Sequence, residues 1–219
     1  MQDDHDGPHA HEPRQFQPDL EDTVPHSEYQ YLEIAVRELL IEKGVITADE
    51  VRAAIEAMDA RGPHLGARMV ARAWIDPDFK ARALADGSAA ARALDIDIGP
   101  THLIVVENRP DVHNAIVCTL CSCYPRSVLG VPPLWYKSRE YRSRMVREPR
   151  AVLAEFGTEL ADNVEVRIHD STADMRYMVL PMRPEGTEGM SEAALAALVT
   201  RDSMIGVSVV HPPERAAAE

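Results

Sequence analysis

Positive charge, aromatic side chains, long apolar runs and cysteine are all scarce in this chain, and each scarcity removes a class of function. Lysine and arginine number 23 against 36 aspartate and glutamate, for a net charge of −13. Such a chain has no general attraction for nucleic acid or anionic lipid, so neither is expected as a partner. No apolar stretch approaches the roughly 20 residues that cross a bilayer. The opening MQDDHDGPHAHEPRQ lacks the basic start and apolar run of a secretory signal. The expected compartment is therefore the cytoplasm. Aromatics make up 5% of the chain, which predicts an aliphatic core. Three cysteines are too few, and odd in number, for a disulfide scaffold in a reducing compartment.

What is present is an ordinary soluble composition, 45% hydrophobic and 27% charged over 219 residues. That suits one domain, with or without a helical extension. Residues 1–26 are acidic and contain His5, His9 and His11, and they predict a disordered tail with at most weak metal capture. Ser27–Gln30 and Thr47–Glu50 have the form of capping boxes and open two amphipathic helices, expected at 29–43 and 48–61 and paired as a hairpin. More helix is expected at 65–75, from Pro77 to Asp86, and from Ser88 to Leu94. After Gly99-Pro100 the pattern changes. Strands are expected at 102–107, 116–120, 164–169, 176–182 and 205–210, with helices at 140–147, 150–156 and from Ser191 through Thr200. The fold class is therefore α+β, mixed α/β. Residues 27–98 form a helical arm and linker helices, and residues 99–219 an α/β domain.

All three cysteines fall in seven residues, VCTLCSC, at Cys118, Cys121 and Cys123. Chance would place them this closely in about one chain in eight hundred, so the cluster requires a chemical account. Cys118 and Cys121 have a common metal-chelating spacing. Cys123, two residues on, forces a turn, because neighbouring odd positions of a regular strand cannot converge on one ion with Cys118. The turn also brings the intervening backbone nitrogens near that ion. A structural zinc site would need a fourth ligand, for which His113 lies close in sequence. Iron–sulfur clusters normally need four cysteines. A redox pair would leave an unusual third thiol. Three inert buried thiols are the blandest alternative. Three thiolates with backbone donors and an open position suit a trivalent, low-spin cobalt or iron ion acting as a Lewis acid.

VCTLCSCYP, followed by LGVPPLWYKSREYRSRMVREPRAVLAEFG, resembles the metal-binding region of the nitrile hydratase alpha subunit, cobalt type. The resemblance extends upstream to GARMVARAWIDPDFKARALADG and downstream to RYMVLPMRPEGTEG and LVTRDSMIGV. The metal-binding subunit of thiocyanate hydrolase carries the same claw. The resemblance implies a layered α-β-β-α metal-binding domain behind the helical arm. It implies one Co(III), or alternatively Fe(III), held by the sulfurs of Cys118, Cys121 and Cys123 and the backbone amides of Ser122 and Cys123. Thr119, directly after the first cysteine, favours cobalt. Cys121 is expected as a sulfinic acid and Cys123 as a sulfenic acid, which makes Cys121, Ser122 and Cys123 the catalytic set. The implied reaction hydrates a nitrile to an amide, with water, metal hydroxide or the Cys123 sulfenate as nucleophile. The implied partners are a beta subunit or two smaller beta-like chains, and a metallochaperone or activator. Tyr124 shapes the loop after the claw, and the hydroxyls of Thr119 and Ser122 are expected to orient water or the partner. Arg126 stands where many cobalt-type chains have tryptophan, which implies a larger or more polar substrate and keeps thiocyanate hydrolase open. Arg167 is expected near the claw's ligands. His169 reads as a strand residue with its ring satisfied.

Overall fold

A computed structural model describes residues 27–213. The described chain divides into two compact units, one up to Thr47 and one from Ala48 on. In the first, α1 (Glu28–Glu42) starts at Ser27, whose backbone N–H donates to Gln30 Oε1 at 2.8 Å, and stops before Gly44 at φ +66°. None of its residues is buried: Leu32, Val36 and Leu39 are all exposed.

The second unit opens with α2 (Ala48–Asp59), also without a buried residue. Three helices follow: α3 (Pro63–Ile75), α4 (Pro77–Ala85) and α5 (Gly87–Arg92). Their starts follow from the local sequence. Pro63 and Pro77 occupy first-turn positions, where the missing N–H costs nothing. Asp76 accepts from Phe79 N and Asp86 from Ala89 N, satisfying donors that each helix leaves unpaired. The alanine-rich faces of α3 and α5 allow close packing. A Cβ on Gly87 would lie 2.6 Å from Leu103 O, so α5 can seat on β1 only with glycine there.

Among the described residues, four strands form two parallel pairs. β1 (His102–Glu107) pairs with β4 (Met175–Leu180), and β2 (Val112–Val117) with β3 (Glu165–Asp170). Parallel pairing needs long crossovers, and between β2 and β3 these are α6 (Arg126–Leu129), α7 (Leu134–Lys137), α8 (Arg139–Arg147) and α9 (Pro149–Glu155). Every residue of β2 is buried, so this strand is the core of the unit. The helices α10 (Glu192–Ala196) and α11 (Arg201–Ile205) close the chain's described part.

The mixed helix-and-strand class holds, with four corrections. The strand expected at 116–120 is β2, and it ends before Cys118. The strand expected to reach Met182 stops at Leu180, because Pro181 has no N–H for the ladder. The helix from Ser191 stops at Ala196, and Thr200 caps a new one. The strand expected at 205–210 is not a strand. Ile205 ends α11, and Gly206 at φ +89° turns the chain. The core is also less purely aliphatic than composition implies: Tyr124, Tyr136, Tyr141, Trp135 and Phe156 meet in one cluster of mostly edge-to-face rings. The tail expected at 1–26 lies outside the described residues.

Candidate metal centre

Strand β2 delivers Cys118. Pairing with the parallel neighbour continues one residue past the strand, where Ser171 N donates to Val117 O at 2.8 Å. The chain then leaves the sheet and turns. Cys121 N donates to Cys118 Sγ at 3.3 Å, which closes the turn of the C-x-x-C segment. Cys118 Sγ lies 3.3 Å from Cys121 Sγ, and Cys121 Sγ lies 3.1 Å from Cys123 Sγ. All three sulfurs fall within 4.8 Å of one another. Exposure is graded across them: Cys118 is buried, Cys123 half-buried and Cys121 exposed.

The loop carries little apolar burial of its own. Thr119, Cys121 and Ser122 are exposed, and the Leu120 side chain is 89% exposed. Polar bonds set its shape instead. Asp170, at the end of β3, accepts from Thr119 N at 2.9 Å and from the Thr119 hydroxyl at 2.5 Å. Tyr136 OH donates to Cys123 O at 3.0 Å, and Arg142 Nη2 donates to Thr119 O at 3.1 Å. Beneath the loop the Tyr124 ring packs on Tyr136 at 4.9 Å, and Tyr141 OH donates to Ile116 O at 2.7 Å.

The thiols do not titrate alike. Cys121 is lowered to about 7 by hydrogen bonds from the Cys123 and Cys118 thiols, and the backbone N–H groups of Cys123 and Ser122 lower it further. Cys123 is raised to about 12 by burial and by its contact with Cys121, with the Arg176 charge partly opposing. The Cys121 and Cys123 sulfurs lie 3.1 Å apart, so the protonation of each affects the other. The Tyr124 and Tyr136 phenols are held above the usual range by burial. This donor set fits a soft or borderline metal ion, because three sulfurs already converge on one short turn.

The remaining candidates are placed as follows. Ser122 is exposed on the loop's outer side. Arg126 is exposed at the start of α6, three residues beyond Cys123, with no partner for its guanidinium among the described residues. Tyr124 OH is buried without a hydrogen-bond partner. Arg167 is exposed on β3 and ion-paired to Glu165 at 2.7 Å; no hydrogen bond joins it to the cysteine loop. His113 is buried on β2 with Nε2 2.8 Å from Gly206 O, and among the described residues no histidine joins the three sulfurs. His169 Nε2 lies 2.8 Å from Asn114 Oδ1, so its ring is satisfied. Two cavities of about 400 and 430 Å³ lie by Asn108, Arg109 and Pro110, before the start of β2, and no cysteine lines either. Sequence reasoning missed Asp170 and Arg142. Asp170 is 51 residues from Thr119, and only the β2–β3 register brings them together. Arg142 was hidden in the basic run 139–150, which reads as a solvated helix face.

The family model described as nitrile hydratase, alpha chain, matches residues 27–208. The chain belongs to the nitrile hydratase alpha-chain family. It is 51% identical over 184 residues to the low-molecular weight cobalt-containing nitrile hydratase subunit alpha of Rhodococcus rhodochrous, covering 83% of this chain and 89% of that one. It is 46% identical over 198 residues to the thiocyanate hydrolase subunit gamma of Thiobacillus thioparus, covering 85% and 82%. Among solved structures, a double mutant of the Fe-type nitrile hydratase from Comamonas testosteroni Ni1 superposes with a TM-score of 0.80 at 43% identity, covering 87% of this chain and 94% of that one. Nitrile hydratase alpha chains and a thiocyanate hydrolase chain thus share this fold and this level of similarity, so family membership alone does not choose between the two chemistries.

Proposed function

We propose that this chain is the alpha subunit of a cobalt nitrile hydratase, a hydro-lyase that converts a nitrile to the corresponding amide. The observation that carries the reading is the convergence of the Cys118, Cys121 and Cys123 sulfurs on one short turn, which also carries the Ser122 and Cys123 amides. Those three sulfurs and two backbone nitrogens are the groups that would hold Co(III), or in the alternative Fe(III). Thr119 after the first cysteine and the cobalt-containing relative both favour cobalt. When bound, the ion supplies Lewis acidity that polarises a nitrile or acidifies water.

The chain's own residues divide the remaining work. Cys118 is buried and suited to remain an unmodified thiolate, whereas Cys121 and Cys123 are accessible and suited to oxidation to sulfinic and sulfenic acid. The Thr119 hydroxyl is committed to Asp170, so it anchors the loop. Ser122 stays available on the outer side to orient water or substrate. Tyr124 braces the turn from below. The open outer face of the loop, with Leu120 fully presented, and the apolar side chains of α1 are surfaces for a beta subunit or two smaller beta-like chains, and an activator would load the metal. In this reading residues 99–219 carry the catalytic part, the preceding helices serve assembly, and the enzyme acts in the cytoplasm.

A second reading, the metal-binding subunit of thiocyanate hydrolase, is favoured by Arg126. Its guanidinium, three residues beyond Cys123 in sequence and without a partner among the described residues, suits an anionic substrate, and the similarity to the Thiobacillus gamma chain supports the reading. One experiment separates them. The chain is co-expressed with its partner and cobalt, and the tryptic peptide ending at Arg126 is weighed without reductant. Three added oxygens, about 48 Da, are expected on Cys121 and Cys123. The same preparation should release amide from a nitrile. Carbonyl sulfide and ammonia from thiocyanate would favour the second reading. No turnover of either substrate with partner, metal and maturation factors present overturns both.

A further inference from the structure

We infer that Arg142 is a positioning residue for the cysteine loop, acting on its backbone and not on the sulfurs. The consequence for metal rests on the proposed claw; the positioning itself does not. Arg142 lies on α8 beside Arg144, but the two are used differently. Arg144 is paired with Glu148 and Glu155. Arg142 has no carboxylate partner among the described residues. Its Nη2 donates to Thr119 O at 3.1 Å and to Leu120 O at 3.3 Å, and its Nε is buried with no acceptor among the described residues. An unmatched buried donor is unfavourable, so the guanidinium is not held there by its own satisfaction. The two loop carbonyls are what it binds, and a charged donor binds them more strongly than a neutral one.

The Leu120 carbonyl belongs to the same peptide plane as the Cys121 N–H, and that N–H donates to Cys118 Sγ. Drawing the carbonyl outward toward α8 therefore points the N–H inward at the sulfur, and the cation polarises the peptide in the same sense. On the other side Asp170 takes the Thr119 N–H. The loop is thus held by its inward donor at Asp170 and its outward acceptors at Arg142. Leu120, at 89% exposure, contributes no packing that could replace them. A peptide flip at 120–121 would turn the N–H away from Cys118 and break its bond to that sulfur. Lysine at this position could reach one carbonyl but lacks the planar fork that spans both.

The test uses the metal-free full chain and arsenite, which condenses with three converging thiols and releases water without redox change. Arg142→Met keeps the aliphatic stem, Arg142→Lys keeps the charge, and Arg147→Met, an exposed position on the same helix, is the control. Arg142→Met should lower arsenite affinity about tenfold through lost preorganisation. It should also accelerate hydrogen exchange at the Cys121 amide, leaving the β2 amides as slow as before. Arg142→Lys should fall between, and Arg147→Met should match the unchanged chain. Arsenite affinity and Cys121 exchange both unaltered in Arg142→Met would overturn the inference. If Arg142→Met does not fold, Arg142→Lys decides by the same two readings, and wild-type values overturn it. Failure of the unchanged chain to take up arsenite would sink the metal-claw reading instead, while the exchange comparison still decides Arg142.

Discussion

Asp170 shows how much of the centre is built by residues that do not touch it. Its two carboxylate oxygens hold the Thr119 N–H and hydroxyl, the first atoms beyond Cys118. Groups that orient metal ligands in this way cost about ten- to a hundredfold in metal affinity or activity when removed. With cobalt loaded as proposed, Asp170→Ala should therefore lose it faster to a chelator by that order. Asp170 is exposed, so the thermal midpoint should move little. Cobalt retention equal to the unchanged chain would remove Asp170 from this role. At this scale the sequence was uneven. The cysteine triplet announced itself by spacing, because ligands on one loop must be near neighbours. Asp170 and Arg142 carried no local signal, since a carboxylate at a strand end and an arginine in a basic helix are both ordinary.

Several helix starts were legible because a cap or a proline sets them locally, although the end of β4 at Pro181 and the cap at Thr200 were not read. Asp76, Asp86, Ser138 and Ser191 each accept a backbone N–H at the start of a helix, and their chemistry is the same in any fold. The last expected strand failed for the opposite reason. Val207, Val209 and Val210 have β-propensity, but propensity forms a strand only when an edge is available. Here the Thr200–Ser203 capping box starts α11, and Gly206 ends it against β2. A Cβ on Gly206 would fall 2.1 Å from Asn114 O, and the φ of +89° is itself unfavourable for other residues. Gly206→Ala should destabilise the chain by about 2–3 kcal/mol or more, read as a lower urea midpoint at unchanged slope. A change below about 0.5 kcal/mol, the range of ordinary surface substitutions, would mean that this crossing is loose.

At the scale of the second unit, the two parallel pairs meet across a buried polar chain. Asn108 Oδ1 accepts from Asn114 N at 2.7 Å, Asn114 Oδ1 meets His169 Nε2, and His113 lies between Asn108 Nδ2 at 3.4 Å and Gly206 O. His113 is neutral here, with Nε2 donating to the carbonyl and Nδ1 accepting from the amide; a second proton would set two donors face to face. Burial lowers the pKa of His113, with the Gly206 carbonyl partly opposing. Burial, then the Arg167 charge, lowers that of His169. Below the ordinary value of 6.5 the unfolded chain binds protons that the folded chain refuses. Stability from these groups should be complete above that pH and fall as pH drops through and below it toward the lowered folded values. Urea midpoints measured across this range should show the fall, and His113→Gln should reduce it. A midpoint that rises on acidification from pH 6.5 would contradict the neutral assignment. The sequence by itself determined the cysteine cluster, the mixed fold class and most helix starts, because each depends on groups a few residues apart. Only the tertiary structure decided which strands pair, where β2 stops, that the C-terminal valines form no strand, and that Asp170 and Arg142 grip the cysteine loop. Those outcomes depend on register and on packing between segments distant in the chain, and neither is written in any local stretch of it.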